Sequence, residues 1–474
     1  MMPYSQEAHK LLHDGALALA RVESNGMRVD MRYLRHAMEE TTREIKEKKE
    51  ALLDSKVMKT WRRTFRDRAN FNSPQQLGKV LFEVMGFESP GKTEGGSHKT
   101  DEASLEMVKD PFVQDFLEIK KLQKGKQFLE GIRKEVVGGL LRPSFNLHIP
   151  RTYRSSSDNP NFQNLPVRNE KLSKLVRRCI IPRKGRCLVE IDYGGIEVKI
   201  AYCYHKDPQM KRYLIDPNSD MHRDQAVECF KLPKDLPAEY WKGPGKKVRY
   251  SAKNQFVFPQ FYGNFWMACA RDMWNGITTL KLEAPDGVPM LKHLRRQGIK
   301  RLGDQDPKGH PGPDTFEAHI KAVEDRFWNK RFRTYTQWKK DWYSSYQKKG
   351  WFRTLTGFIC QGYMARNECL NYPIQGSAFH CLLWALIQLQ GAGSAEGLLA
   401  KKGMRSMVVG QIHDSIVADV PEEEVEGFLS LCHSVMVKRL PREWPWIITP
   451  LEVEAEVTPV GGSWVDKKGR VING

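Results

Sequence analysis

Apolar and polar positions alternate with two different periods along the chain. Near the start, Leu12, Ala16 and Leu19 fall on one face at helical spacing. Gly26-Met27-Arg28-Val29-Asp30 then reads as a turn into a short strand. From Met31 to Arg68 the pattern predicts a long, highly charged helical stretch. Ser73-Pro74-Gln75-Gln76 carries the marks of a helix start: Ser73 to accept from a free backbone N–H, Pro74 in the first turn and Gln76 to bond back. Gly91 to Lys99 reads as a basic, Gly-rich loop before a further helix. Ser144 to Pro166 is polar and irregular. Cys187 to Asp192 has the composition of a buried strand ending in a carboxylate. Helical spacing dominates from Lys206 to Gln347, interrupted at Pro285–Pro289 and again at Gly309–Pro313. Met404–Val409 and Ile416–Val420 predict two strands joined at His413-Asp414-Ser415, a hairpin with an acidic tip.

The length of 474 residues suggests about three domains' worth of chain, and the 40% hydrophobic content can fill substantial cores. Charge adds a partner class: 76 Lys and Arg against 57 Asp and Glu leave +19, which favours a polyanion. Residues 41–70 alone hold ten Lys and Arg against five Asp and Glu, a solvated helical face or a clamp on phosphates. The nine cysteines are scattered singly, with no CxxC pair, and read as reduced, buried thiols. No apolar run is long enough to span a bilayer, and Met1-Met2-Pro3-Tyr4-Ser5-Gln6 lacks the regions of a signal peptide. The expectation is a soluble, cytoplasmic protein.

Candidate chemistry lies in three places. Asp192, in Glu190-Ile191-Asp192-Tyr193-Gly194-Gly195-Ile196-Glu197, and Asp414, in Gln411-Ile412-His413-Asp414-Ser415, are carboxylates at strand ends. Two such groups can share divalent cations, as phosphoryl transfer requires, or each can be an ordinary turn aspartate. Between them, Arg249 and Lys253 stand four apart, on one helical face suited to a triphosphate or to solvent. His222, in Asp220-Met221-His222-Arg223, offers a further donor.

In their order and contexts, Asp192 to Glu197, the Arg249/Lys253/Tyr262-Gly263 helix and His413-Asp414-Ser415 resemble motifs A, B and C of the family A DNA polymerases. Further matches follow in the same order. They are Thr152 to Arg168 with its Pro160-Asn161-Phe162-Gln163-Asn164-Leu165-Pro166 core, Asp220 to Arg223, Thr354-Leu355-Thr356-Gly357, Asn371 to Gly376 and Gly461-Gly462-Ser463-Trp464. Asn70-Phe71-Asn72-Ser73 and Gly91-Lys92-Thr93-Glu94 resemble the family's thumb.

The resemblance implies an α+β fold, a right-hand polymerase with a helical thumb, an antiparallel-sheet palm and helical fingers. Residues 1–140 would form the thumb with a palm-edge segment and 141–204 the first part of the palm. Residues 205–364 would form the fingers, with an insertion at about 274–314, and 365–474 the second part of the palm. It also implies roles. Asp192 and Asp414, with the Tyr193 carbonyl, would bind two Mg²⁺ ions, Mn²⁺ being a substitute. Glu197 would exclude ribonucleotides. His222, Arg249 and Lys253 would hold the triphosphate, Lys253 also donating a proton to pyrophosphate. Phe258 and Tyr262 would flank the incoming sugar and the templating position. Arg154, Asn371, Gln375 and His413 would line the primer terminus and the minor groove. The implied activity is template-directed DNA synthesis in replication or repair, by a monomer of phage-like type. Primer-template DNA and deoxynucleoside triphosphates would be its partners, with a separate exonuclease, helicase or processivity factor beside it. No acidic exonuclease signature precedes Gly26, so no proofreading is expected of this polypeptide. An RNA polymerase or reverse transcriptase, and an inactive scaffold binding primer-template, are the rival readings.

Several positions depart from the family's pattern. Phe258 comes one residue late for the stripe begun by Arg249 and Lys253, and Pro259 has no N–H to give. A π-type bulge between Lys253 and Pro259 would absorb the extra residue; a continuous helix would instead present Val257 and Phe261. Ser415 stands where an acid usually follows the motif C aspartate, Tyr153 where a glycine is usual, and Asn367 where an arginine is usual. In the insertion, Lys292, Arg295, Arg296, Lys300 and Arg301 form a basic series, a solvated face or a contact for template phosphates.

Overall fold

The computed structural model describes residues 5–89, 91–93, 95–106, 108–164, 170–303 and 312–472, with only the backbone of Ala103 and Asn164. The expected loop at Gly309-His310-Pro311, the segment Leu165 to Arg168 and Glu94 lie outside them.

At the centre is a five-stranded antiparallel sheet. Its middle strand, Arg186–Tyr193, is flanked by Ser415–Pro421 on one side and Val453–Val457 on the other. Met407–Ile412 and Lys468–Arg470 form the edges. Period two explains its faces. Cys187, Val189, Ile191 and Tyr193 point to one side and pack with Ile416, Ala418 and Val420 against the helix Arg366–Gln390. That helix is apolar nearly all round and buried along most of its length, as a helix inside a core must be. Its Gly376 is obligatory: an added Cβ would meet the Thr152 carbonyl oxygen at 2.4 Å. The opposite sheet face carries Glu190 and Asp192 on the middle strand, with Ser415, Asp419, Glu454 and Glu456 beside them.

Before the sheet, helices Met31–Leu53 and Pro111–Glu135 pack together around Trp61, Leu81, Phe112 and Phe116. The expected helix from Met31 to Arg68 is broken at Asp54, and Ser55 caps a new helix, Lys56–Phe65, by accepting from the Met58 N–H at 3.2 Å. Ser73 caps Pro74–Gly78 as expected, accepting from the Gln76 N–H. The Gln76 side chain, however, does not bond back to its cap. Its Oε1 accepts from Trp61 Nε1 at 2.9 Å and from the Asn70 N–H at 2.8 Å. Ser144 to Pro166 is not wholly irregular either, since Ser144–Asn146 and Ser156–Asp158 pair as a ribbon. The first strand of the acidic hairpin begins at Met407, three residues later than expected, and runs on to Ile412. Ser406 is instead held by Glu424 through its N–H and hydroxyl.

A second helical body, inserted between the acidic strands, is built on Phe256, Phe316, Phe327 and Phe332. It includes Gly245–Ala252, the π-helical turn Lys253–Val257 and the short helix Phe258–Phe261. Among the described residues no helix is long and apolar enough to cross a membrane.

Candidate active site

Asp192 is one residue from the end of the middle strand and Asp414 sits in the hairpin turn. Because Ser415 pairs with Asp192 across the ladder, the turn is delivered to the strand end, and the Tyr193 N–H donates to the Asp414 carbonyl at 3.4 Å. The turn needs His413 in the left-handed region, φ 51°, a conformation costly for a residue with a Cβ. Side chains behind the tip hold it there. Gln411 donates to the His413 carbonyl at 2.6 Å and accepts from the Ser155 hydroxyl at 2.6 Å and from Gln163 Nε2 at 2.9 Å. Gln163 in turn accepts from the His413 N–H at 3.1 Å. Gln411 and Ser155 are buried. Ser155 and Gln163, in the polar stretch Ser144 to Pro166, brace the hairpin from within.

The charge of Asp414 adds to the cost of ionising Asp192. Loss of water around Asp192, then the nearby charges of Asp414, Glu190 and Glu454, push it up to about 7. Desolvation pushes Asp414 up to about 6 against the pull of Arg154. Asp414 Oδ1 is buried without a hydrogen-bond partner, and Arg154 comes no closer to it than 3.8 Å. Two crowded carboxylates and an orphaned oxygen form a donor set of hard oxygens, which fits a divalent cation such as Mg²⁺. Among the described residues no cluster of three or more His, Cys, Asp or Glu side chains is placed to hold a metal. Asp192, Asp414 and the nearby Tyr193 carbonyl are the oxygen groups that could hold such an ion, with water or substrate completing its shell, as Mg²⁺ commonly allows.

Arg154, Glu197, Phe258, Tyr262, Asn371, Gln375 and His413 line a cavity of about 520 Å³ with Asp192, Tyr193 and Asp414. Glu197, in the first turn of helix Ile196–His205, accepts from both the Arg154 guanidinium and the Tyr262 hydroxyl. That places the end of the inserted helix over the sheet. Asn371 donates to the Tyr262 carbonyl at 3.5 Å and Asn367 to the Gly263 carbonyl at 3.4 Å. Gly263 has φ 88°, and a Cβ there would meet the Asn367 side chain at 2.6 Å, so this contact requires the glycine.

His222, Arg249 and Lys253 lie outside that cavity lining; His222 and Lys253 touch it through Phe258, and Arg249 joins them through Asp220. The ring of His222 stands edge-on to Phe258 at 5.7 Å, and Lys253 Nζ lies 5.1 Å from the centre of the same ring. Arg249 Nε donates to Asp220 at 2.7 Å, and Asp220 also caps the helix that carries His222. Burial, then the charge of Arg249, lowers His222 to about 4, and its Nδ1 is buried without a partner.

The π-helical turn has the expected place and effect. The Phe258 N–H reaches back five residues to the Lys253 carbonyl, absorbing one residue before Pro259. Phe258 and Tyr262 consequently face the cavity while Val257 is fully buried. Phe261 lines the cavity in part and packs on Phe327, Trp328 and Phe332. Tyr153 also gains an explanation. Its φ is 58°, a conformation natural to glycine, and it is anchored by its hydroxyl on the Ile359 carbonyl at 2.7 Å and its ring on Phe358.

With this geometry in hand, comparison with known proteins is informative. The model of the family described as "DNA polymerase family A" matches residues 35–277 and 324–466. The chain is 26% identical over 458 residues to the thermostable DNA polymerase I of Thermus aquaticus, covering 95% of this chain and 47% of that protein. It is also 26% identical over 466 residues to DNA polymerase I of Bacillus subtilis (strain 168), covering 96% and 45%. Identity to the DNA polymerase of Bacillus phage SP01 is 25% over 386 residues, covering 76% and 36%. The chain thus spans about half the length of the bacterial relatives it matches. Its fold is similar to the POL domain of Pol1 from M. smegmatis, solved as a complex with DNA primer-template and dNTP. The TM-score is 0.70 at 22% identity, covering 95% of this chain and 69% of that one.

Proposed function

The chain belongs to DNA polymerase family A, and from that premise we propose that it extends a primer 3′-hydroxyl by template-directed attack on the α-phosphate of a deoxynucleoside triphosphate. The observation that carries this reading is the meeting of Asp192 and Asp414 at one strand end, with a buried carboxylate oxygen left unbonded. Two Mg²⁺ ions, or Mn²⁺ in their place, held by Asp192, Asp414 and the Tyr193 carbonyl, would promote ionisation of the hydroxyl and neutralise the leaving pyrophosphate.

The remaining roles belong to the chain's own groups. Arg249, aimed by Asp220, and the buried His222 would bind the triphosphate, and Lys253 would donate a proton to pyrophosphate. Phe258 would cover the sugar, and Tyr262 would stand at the templating position. Glu197, bridged to Tyr262, would meet a 2′-hydroxyl and disfavour ribonucleotides. Arg154, His413, Asn371 and Gln375 would test the minor-groove edge of the new pair, where correct pairs place acceptors alike.

In this reading residues 1–140 form the thumb, 141–204 and 365–474 the palm, and 205–364 the fingers. The break in the family match between residues 277 and 324 supports an insertion at about 274–314. Replication or repair of DNA by primer extension is the proposed role of this polypeptide. A separate exonuclease, helicase or processivity factor would be a further partner.

Primer extension on a gel tests the proposal. The wild-type chain should extend primed DNA with Mg²⁺. Asp414→Ala, with unchanged circular dichroism, should lose at least about a thousandfold in rate, since it removes a metal-bound charge stabilisation of several kcal/mol. Tight DNA binding by the wild type without extension in Mg²⁺ or Mn²⁺ would overturn it.

A further inference from the structure

The sheet face that carries Asp192 is crowded with acids, and all but one beyond the catalytic pair are neutralised. Asp419 pairs with Arg183 at 2.7 Å, while Glu190 and Glu456 share Lys467, each at 2.5 Å. Glu190 also accepts from Trp464 Nε1 at 2.8 Å. Glu454 is the exception: it is exposed, and its side chain forms no hydrogen bond or ion pair among the described residues. The ladder places it directly opposite Asp192, as it places Ser415 opposite Asp192 on the other side. Residues paired in this way stand about 4.5–5.5 Å apart at Cα and project from the same face. Asp192 therefore has an uncharged hydroxyl on its hairpin side and a free carboxylate on its outer side. Ser415 is committed to its own turn, its hydroxyl donating to the Ile412 carbonyl at 2.9 Å.

We propose that Glu454 is a positioning residue for the cation site, acting through Asp192 by supplying from the neighbouring strand a negative charge that draws divalent cations to the Asp192–Asp414 pair. Glu454 does not line the cavity between those aspartates, so it acts at a distance. The unbonded Asp414 Oδ1 is the independent sign that a cation belongs beside Asp192. A free carboxylate one strand away raises the local cation concentration without occupying a coordination position. The inference rests on reading Asp192 and Asp414 as the cation ligands.

Mn²⁺ titration of the full chain without DNA, with free Mn²⁺ followed by electron paramagnetic resonance, tests it. Glu454→Gln should weaken Mn²⁺ binding roughly three- to tenfold, as expected for one charge near a dication in a partly solvated cleft, and the difference should shrink at high salt. Glu454→Asp should stay near wild type, and Ser415→Asp added to Glu454→Gln should recover affinity from the opposite side of Asp192. In primer extension, the metal concentration for half-maximal rate should rise by the same factor, with kcat at saturating metal nearly unchanged. A Glu454→Gln titration superimposed on wild type overturns the proposal, as does a fall in kcat with no change in metal dependence. Failure of the wild type to bind Mn²⁺, or full binding by Asp192→Asn, would instead overturn the underlying reading of the aspartates.

Discussion

The acidic hairpin and the inserted helix both deliver side chains to one cavity, by different means. At the hairpin, a continuous ladder from Ser415↔Asp192 to Pro421↔Arg186 fixes the register, and a one-residue slip would turn every apolar side chain of the strand outward. In the helix, position depends on one local choice, the five-residue hydrogen bond from Phe258 to Lys253. The sheet is thus over-determined, whereas the helix is set by a single turn that could wind otherwise. Rigidity is concentrated where two like charges must be held together. The adjustable element lies above them, fastened by the Glu197–Tyr262, Asn371 and Asn367 bonds.

The strongest way to break this contrast is to loosen the hairpin from behind. Gln411→Leu keeps the volume roughly but removes the donor to the His413 carbonyl, and it strands Ser155 and Gln163. A buried unsatisfied group costs about 1–3 kcal/mol of stability. The larger effect should be on rate, because a misplacement of about 1 Å at the reacting centre can cost ~10²-fold. Steady-state extension should show kcat down by that order with nucleotide KM changed much less. A variant with wild-type kcat would mean the tip is held by the ladder alone.

The same residues mark the limit of what the sequence made legible. Asp192 and Asp414 could be found because strand patterns lead to them, and Phe258 because an extra residue in a helical stripe has few physical remedies. Gln411 was visible only as part of a motif. Its work depends on Ser155 and Gln163, which lie some 250 positions earlier and whose polar composition read as surface. Tyr153 was an unexplained substitution until its positive φ was seen, since no periodicity encodes a single left-handed residue. Glu454 carries no signal by itself; only the register makes it a neighbour of Asp192.

A smaller effect would sharpen the helix side of the comparison. Phe258→Tyr adds a hydroxyl on the cavity wall and should change discrimination against dideoxynucleotides by about tenfold or more, on the scale of one hydrogen bond formed in a dry site. Val257→Tyr overpacks a fully buried position, costing about 1–3 kcal/mol, and should leave that discrimination unchanged. Competition between deoxy- and dideoxynucleotides at a template position measures both. The reverse result would place Val257 at the nucleotide and unwind the π turn.

The smallest expected effect concerns stability and tests the electrostatics of the rigid side. Asp192 and Asp414 titrate near 7 and near 6 in the folded protein, both above the ordinary 3.8. From about pH 4 upward the unfolded chain has therefore released protons that these two groups retain in the native state, so their contribution to stability falls as pH rises until both are ionised, a little above 7. That window is where a cation should matter. His205, His222, His319 and His380, all held below the usual imidazole range by burial, shift stability the other way below pH 7. The aspartate contribution is therefore read as the metal-free Tm of the wild type minus that of Asp192→Asn, which should decline between pH 5 and pH 8. At pH 8, saturating Mg²⁺ or Mn²⁺ should raise the wild-type Tm by several degrees, because a ligand bound only by the native state stabilises by mass action. At pH 5 the same ion meets protonated carboxyls and should do little. Asp192→Asn removes one of the two repelling charges, so it should also abolish the rescue. Equal metal effects at both pH values, or a difference from Asp192→Asn that does not change with pH, would show that the carboxylates ionise independently and that the hairpin does not press them together.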